Sequence, residues 1–234
     1  MSRRTFVLVH GAWHGGWGWT RVVERLRAKG HAVYAPSLTG LGERAHLLHP
    51  DVDLSLHIED VLGVVHYEDL SDVVLVGHSY GGNVISGVAE KVGGKIRSLV
   101  FVDAFIPDDG QSVLDIVQPV VAEAIRAAAA RGDKTVPVRD AAAFLVNEKD
   151  RAWVDRLSNP QPIGTFLEKI KLTGARDQLP RAYVRATGYP NVAFDAAYAR
   201  AKAEGWRTYE VDCGHDIMIN EPDRLTEILI EAAA

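Results

Sequence analysis

A serine flanked by glycines is the first group in this sequence whose type and spacing suggest chemistry. Gly77-His78-Ser79-Tyr80-Gly81 fits G-x-S-x-G, follows the apolar run 73–76 and leads into a helix-compatible stretch from Gly82. In that context the motif is a nucleophile elbow, a sharp strand-to-helix turn that lifts the serine Oγ above the end of a sheet. The turn forces an unfavourable backbone and brings neighbouring chain close, so glycine belongs at both ends. The helix behind Ser79 points its positive end at any negative charge that develops there. The bland alternative is a glycine-rich turn with a solvated serine, and the apolar strand before it weighs against that.

A serine hydroxyl is a weak nucleophile until a base takes its proton. Of nine histidines, His215 is placed to do so, because it follows the last expected strand in Cys213-Gly214-His215-Asp216. It also comes late, as the order serine, acid, histidine requires. His78, inside the elbow, reads as a packing and hydrogen-bonding residue. His10 and His14 flank the first glycine-rich loop and read as holding its shape. His31, His46, His49, His57 and His66 are scattered and are expected to face solvent. No pair of them has the spacing of a metal site, so no metal is expected.

The oxyanion formed when Ser79 attacks a carbonyl needs two preorganised N–H donors. One is the backbone of Tyr80, directly after the nucleophile. The other is assigned to Ala12, in the loop HGAWHGGWGW over 10–19. That loop matches neither the P-loop nor the dinucleotide fingerprint, so no nucleotide cofactor is expected. Two carboxylates are open as the partner of His215: Asp103, at the end of the strand after the elbow helix, and Asp195, near the start of a later helix. Trp13, Phe105 and Trp153 are the candidate substrate contacts, with core packing as the alternative for each.

These residues need a scaffold, and 234 residues suffice for one domain with an inserted cap. Apolar residues make up 47% and charged ones 24%, ordinary for a globular protein. A net charge of −5 without a basic cluster argues against nucleic acid and anionic membranes as partners. The single cysteine, Cys213, cannot form an internal disulfide, and a reducing, cytoplasmic setting is expected. The apolar run after Arg3-Arg4 is too short for a signal sequence and reads as the first strand. No segment reaches the ~18 uninterrupted apolar residues of a membrane span.

Strands are predicted over 5–9, 31–35, 73–76, 97–102, 181–187 and 206–212, alternating with helices over 20–29, 53–65, after the elbow, 192–204 and 222–232. Apolar strands alternating with helices indicate an α/β fold with a mainly parallel sheet flanked by helices. Residues 108–176 break the alternation, with helix-like stretches over 112–131, 139–147, 150–157 and 164–172 and no strand. They are read as a small helical cap inserted into a core of 1–107 and 177–234, with Asp108 and Asp109 at the hinge.

Taken in order, HGAWHGGWGW, APSLTGLGER, GHSYGG, VDAFIPDDG and GHDIMINEP resemble the α/β-hydrolase fold. Within it they most resemble the branch of plant methylesterases and hydroxynitrile lyases and their bacterial esterase relatives. The resemblance covers nearly the whole chain and is weakest in the cap. It implies a cofactor-free serine hydrolase of the carboxylesterase type, cleaving small-molecule esters through an acyl-enzyme, and it supports Ala12 and Tyr80 as oxyanion donors. The lyases carry a threonine in the first loop and a lysine after the catalytic histidine, where this chain has Gly11 and Asp216. Without that cation, lyase activity is not expected. The plant branch places its acid after the penultimate strand, where this chain has Thr187-Gly188-Tyr189-Pro190-Asn191. Other members of the fold take the acid from the strand after the elbow helix, which favours Asp103 over Asp195. Two rivals remain: another serine–histidine reaction on the same fold (C–C hydrolysis, perhydrolysis or cofactor-free oxygenation), and a non-catalytic small-molecule binding protein. A homodimer is compatible with the sequence, which leaves oligomeric state open.

Overall fold

The structure, a computed structural model, describes residues 3–233. In chain order the elements begin β1 (Thr5–Val9), α1 (Thr20–Ala28), β2 (Ala32–Tyr34), α2 (Leu54–Tyr67), β3 (Val73–His78), α3 (Gly81–Val92) and β4 (Ile96–Val102). The inserted segment holds α4 (Pro119–Ala130), β5 (Thr135–Val136), α5 (Glu148–Leu157), β6 (Gln161–Pro162) and α6 (Gly164–Leu167). The chain then returns through β7 (Arg181–Ala186), α7 (Val192–Ala203), β8 (Arg207–Val211), α8 (Ile217–Asn220) and α9 (Pro222–Ala232).

Six strands form one parallel sheet in the order β2-β1-β3-β4-β7-β8. Every residue of β3 is buried, and so are Phe6 to Val9 of β1. Such strands are covered on both faces, which is why they read as continuous β-branched runs rather than as alternating ones. The chain winds from β1 outward to β2 and then across to β3 on its other side. The crevice where the order reverses lies at the carboxyl ends of the strands, the usual ligand position in such sheets. Register sets Val9 of β1 beside Gly77 of β3, so the loop after β1 and the elbow emerge next to each other. Asp53 caps α2, accepting from the Leu56 N–H at 2.8 Å, and Asn191 caps α7 through the Ala193 and Phe194 N–H groups.

The inserted segment departs from the sequence prediction. Residues 112–131 are a short turn at Val113–Asp115 followed by α4, because Pro119 disfavours helical backbone at Gln118 and restarts the helix at its first position. Within 139–147 only a single turn forms, at Ala141–Phe144, closed by Leu145 in the left-handed region at φ 56°. Within 164–172 the helix is confined to α6. The segment also contains strands, against expectation: β5 and β6 pair antiparallel, Thr135 opposite Pro162 and Val136 opposite Gln161. A two-residue strand containing a proline carries no periodicity to detect.

This segment is seated on the loop after β1. The Trp13 N–H donates to Gln161 Oε1 at 2.9 Å, and its indole N–H donates to the Val136 carbonyl at 3.3 Å. The Asn159 N–H donates to the Trp13 carbonyl at 2.8 Å.

Candidate active site

The elbow forms because the sequence permits close approach on both sides of Ser79. A Cβ on Gly77 would lie 2.5 Å from the Gly81 carbonyl oxygen, and one on Gly81 would lie 2.8 Å from the Val9 carbonyl oxygen. Ser79 has φ 53°, a left-handed conformation costly for a side chain other than glycine. The turn is held by its N–H donating to the Val102 carbonyl, while its own carbonyl accepts from the Phe105 N–H. Trp13 and Asp103 are also left-handed, at φ 65° and 42°. Strained backbone therefore gathers at the carboxyl ends of three adjacent strands, β1, β3 and β4.

His215 follows β8 and is 3% exposed. Its Nδ1–H donates to Asp103 Oδ2 at 2.7 Å. Asp103 has no exposed surface, and its Oδ1 accepts from Arg185 Nη1 at 2.7 Å and from the Ala186 N–H at 3.1 Å. Among the described residues neither the other ring nitrogen of His215, Nε2, nor Ser79 Oγ has a hydrogen-bond partner, so the two are not bonded in this structure. Ser79 is 8% exposed. Such contacts are often open without substrate and tighten on binding. Asp195 does not reach His215: its side chain is 62% exposed and is paired with Arg185 Nη2 at 2.7 Å.

The two backbone donors are unengaged. Neither the Ala12 N–H nor the Tyr80 N–H donates to any group among the described residues. Gly11 brings the first loop against the elbow, where a Cβ would lie 2.8 Å from His78 Nδ1 and 2.9 Å from Ser79 Cβ. A threonine in this position would collide with both.

A second charged cluster lies behind that loop. His14 Nδ1 donates to the Ala12 carbonyl at 2.8 Å and its Nε2 donates to Asp216 Oδ2 at 3.2 Å. Both nitrogens face acceptors, so the ring carries both protons. Burial alone would lower the pKa of His14, but Asp216 overrides it and holds the value above the ordinary 6.5. Asp216, despite burial, is held well below the ordinary carboxylate range by the surrounding imidazoles, His14 foremost. His78 donates from Nε2 to the His215 carbonyl at 3.1 Å, and burial keeps it neutral, with its pKa well below 6.5. Met218 is fully buried and fills the core.

Two histidines predicted to face solvent are buried. His57 has no exposed surface; its Nε2–H donates to the Thr39 carbonyl at 2.8 Å and its Nδ1 accepts from the Tyr80 hydroxyl at 3.1 Å. Burial lowers its pKa to about 4. His31 is also buried, accepting the Arg4 N–H at 3.1 Å. Single histidines in polar surroundings give no periodic signal, so the sequence could not place them inside.

Of the aromatic candidates, Phe105 packs tilted against Phe194 at 5.0 Å, and Phe194 lies parallel to the His215 ring at 4.9 Å. The Trp13 ring packs against Phe144 and Phe166. Trp153 lies apart from these, against Trp17 and beneath the Arg21 guanidinium. Sequence reasoning missed Tyr189 and Phe194, which with Phe144, an aromatic residue it offers as a candidate pocket wall, surround the His215 ring at 4.9 to 5.6 Å. It also missed Arg185, whose signal was available: a cation within the buried part of strand RAYVRA, after Arg181 at its edge. No group of three metal-ligating side chains occurs among the described residues, and no helix among them is long and apolar enough to cross a membrane.

The profile of the alpha/beta hydrolase family matches residues 6–228. The carbendazim hydrolyzing esterase of Nocardioides sp. (strain SG-4G) is 41% identical, over 96% of this chain and 97% of its own length. Methylesterase 18 of Arabidopsis thaliana is 27% identical, over 100% of this chain and 98% of its own. The solved structure of an extracellular alpha/beta-hydrolase from a Paenibacillus species superposes with a TM-score of 0.86 at 28% identity, covering 98% of each chain.

Proposed function

The chain belongs to the alpha/beta hydrolase family and is a carboxylic ester hydrolase; from that premise we propose that it is a serine esterase whose triad is Ser79, His215 and Asp103. His215 Nε2 takes the Ser79 proton as Oγ attacks the ester carbonyl. The oxyanion is held by the Ala12 and Tyr80 N–H groups, and His215 then protonates the departing alcohol. Water, deprotonated by the same nitrogen, releases the acid from Ser79. Asp103 fixes the tautomer that leaves Nε2 free and stabilises the imidazolium. The carrying observation is the 2.7 Å bond from His215 Nδ1 to a fully buried Asp103, with Nε2 unengaged.

Substrate contacts are proposed for Phe105, beside the elbow, and for Trp13, beside Ala12; the position of Trp153 against Trp17 gives it no comparable support. Flat aromatic surfaces around His215 suit a small planar ester or carbamate. Carbendazim, the compound in the name of the 41% identical relative, is the first such substrate to try. The test is Ser79→Ala against wild type on a short p-nitrophenyl ester, with fluorophosphonate labelling. Turnover and labelling should both disappear; an unchanged rate removes the proposal. A wild-type chain that binds such compounds but neither turns over nor labels would be a binding protein.

A further inference from the structure

We propose that Arg185 is a positioning residue for the catalytic acid, setting the plane of Asp103 and tying the wall behind His215; this rests on the esterase reading above. Arg185 projects from β7 with 3% of its side chain exposed. It donates through Nη1 to Asp103 Oδ1 at 2.7 Å and to the Ala186 carbonyl at 2.6 Å. Nη2 donates to the Tyr189 carbonyl and to Asp195 Oδ1, both at 2.7 Å, and Nε donates to Asp195 Oδ1 at 3.0 Å. Every N–H direction of the guanidinium is used, and three separate pieces of chain are fixed relative to one another.

With Arg185 and the Ala186 N–H on Oδ1, only Oδ2 of Asp103 is presented to His215, so the carboxylate cannot rotate away. The same guanidinium grips the Tyr189 carbonyl and the Asp195 side chain, and the Tyr189 and Phe194 rings flank the imidazole, each at 4.9 Å. The other groups facing His215 are the neutral His78 on the elbow, Asp216 next to it with its partner His14, and Phe144 from the inserted segment. None of them changes when Arg185 is replaced. Asp195 lies beyond Arg185 and, being exposed, serves as its outer anchor.

The experiment compares wild type, Arg185→Met, Arg185→Lys and Asp195→Asn by kcat and KM on a p-nitrophenyl ester, with circular dichroism as the check on folding. Arg185→Met should lower kcat by about 10–100-fold, the cost of a misplaced catalytic group, with little change in KM. Arg185→Lys should lose less, since an ammonium restores one donor to Asp103 without the fork. Asp195→Asn should cost less than either. A folded Arg185→Met with wild-type kcat overturns the proposal, as does a loss that falls on KM alone or an equal kcat loss in the Met and Lys variants. If Arg185→Met does not fold, an Arg185→Lys enzyme with unchanged kcat overturns it. Wild type that neither turns over nor labels with fluorophosphonate would instead remove the esterase reading, so the two failures are distinct.

Discussion

Asp103 and Asp216 are both fully buried carboxylates facing a histidine, at 2.7 Å from His215 Nδ1 and 3.2 Å from His14 Nε2. Burial and partner type are therefore the same in the two pairs. What differs is the remaining ring nitrogen. On His14 it is occupied by the Ala12 carbonyl at 2.8 Å, which leaves no lone pair for chemistry. On His215 it is free. The His14–Asp216 pair staples the loop carrying Ala12 to the loop carrying His215; the His215–Asp103 pair supplies the base in the proposed mechanism. The carboxylates are also satisfied differently. Asp103 accepts from a guanidinium and a backbone N–H besides its histidine, whereas Asp216 Oδ1 has no hydrogen-bond partner and faces His78 at 3.7 Å. A catalytic carboxylate has to stay aligned while its imidazole gains and loses a proton, and three donors hold it better than one. The staple only has to keep two loops together.

The largest expected effect divides the two histidines. His215→Ala should reduce kcat by about 10⁴–10⁶-fold, the loss seen when a triad histidine is removed. His14→Ala should reduce it by less than about 100-fold, through misplacement of Ala12. Equal losses, measured by burst-free steady-state rates on one ester, would erase the distinction between base and staple. Next come the carboxylates. Asp103→Asn should cost about 10³–10⁴-fold in kcat, from the wrong tautomer, while Asp216→Asn stays within about tenfold. Stability should rank the other way for the staple. Removing either member of a buried ion pair leaves the other uncompensated, so Asp216→Asn should lower unfolding free energy in urea by about 3 kcal/mol. A neutral result would mean that the pair is not charged.

The contrast also explains what the sequence disclosed and what it withheld. Ser79 and Tyr80 sit in a motif whose spacing is dictated by one tight turn, and β1, β3 and β4 carry unbroken apolar runs over 6–9, 73–76 and 99–102 because both their faces are covered there. Local pattern carries such features. The partner of His215 depends on which strand ends the loop after β8 can reach across the sheet, so Asp103, at the end of β4 with β7 between it and β8, could not be told from Asp195 by local pattern. Asp195 proved to be linked to Asp103 through Arg185, which the sequence showed only as an odd charge in a buried strand. The inserted segment was the least legible part, because its strands are two residues long and its first helix is broken at Pro119. His57, read as exposed, is buried by tertiary contacts with Tyr80 and Thr39 that no periodicity foretells.

The smallest effect is the pH dependence of the staple, and its sign follows from the two shifts. His14 has a folded pKa raised above 6.5, so its contribution is complete below about that pH and fades as pH rises through the folded value. Asp216 is depressed below 3.8, so its contribution is present above that pH and is lost only on stronger acidification. Both act fully between about pH 4 and 6.5. Other histidines oppose this in the whole protein. His10, with its pKa lowered to about 3 by burial, His57, lowered to about 4, and His78 are buried neutral, and each costs stability as pH falls below 6.5. Burial, the main cause in each, is common to wild type and to His14→Ala, so most of this cost cancels in the difference between the two; the His14 charge adds a smaller lowering at His10 and His78. That difference in unfolding free energy should be largest near pH 5.5–6 and should shrink as pH rises toward 9. A difference that instead widens with rising pH would show that His14 is neutral in the fold, and that the Asp216 pair is a plain hydrogen bond rather than a charged one.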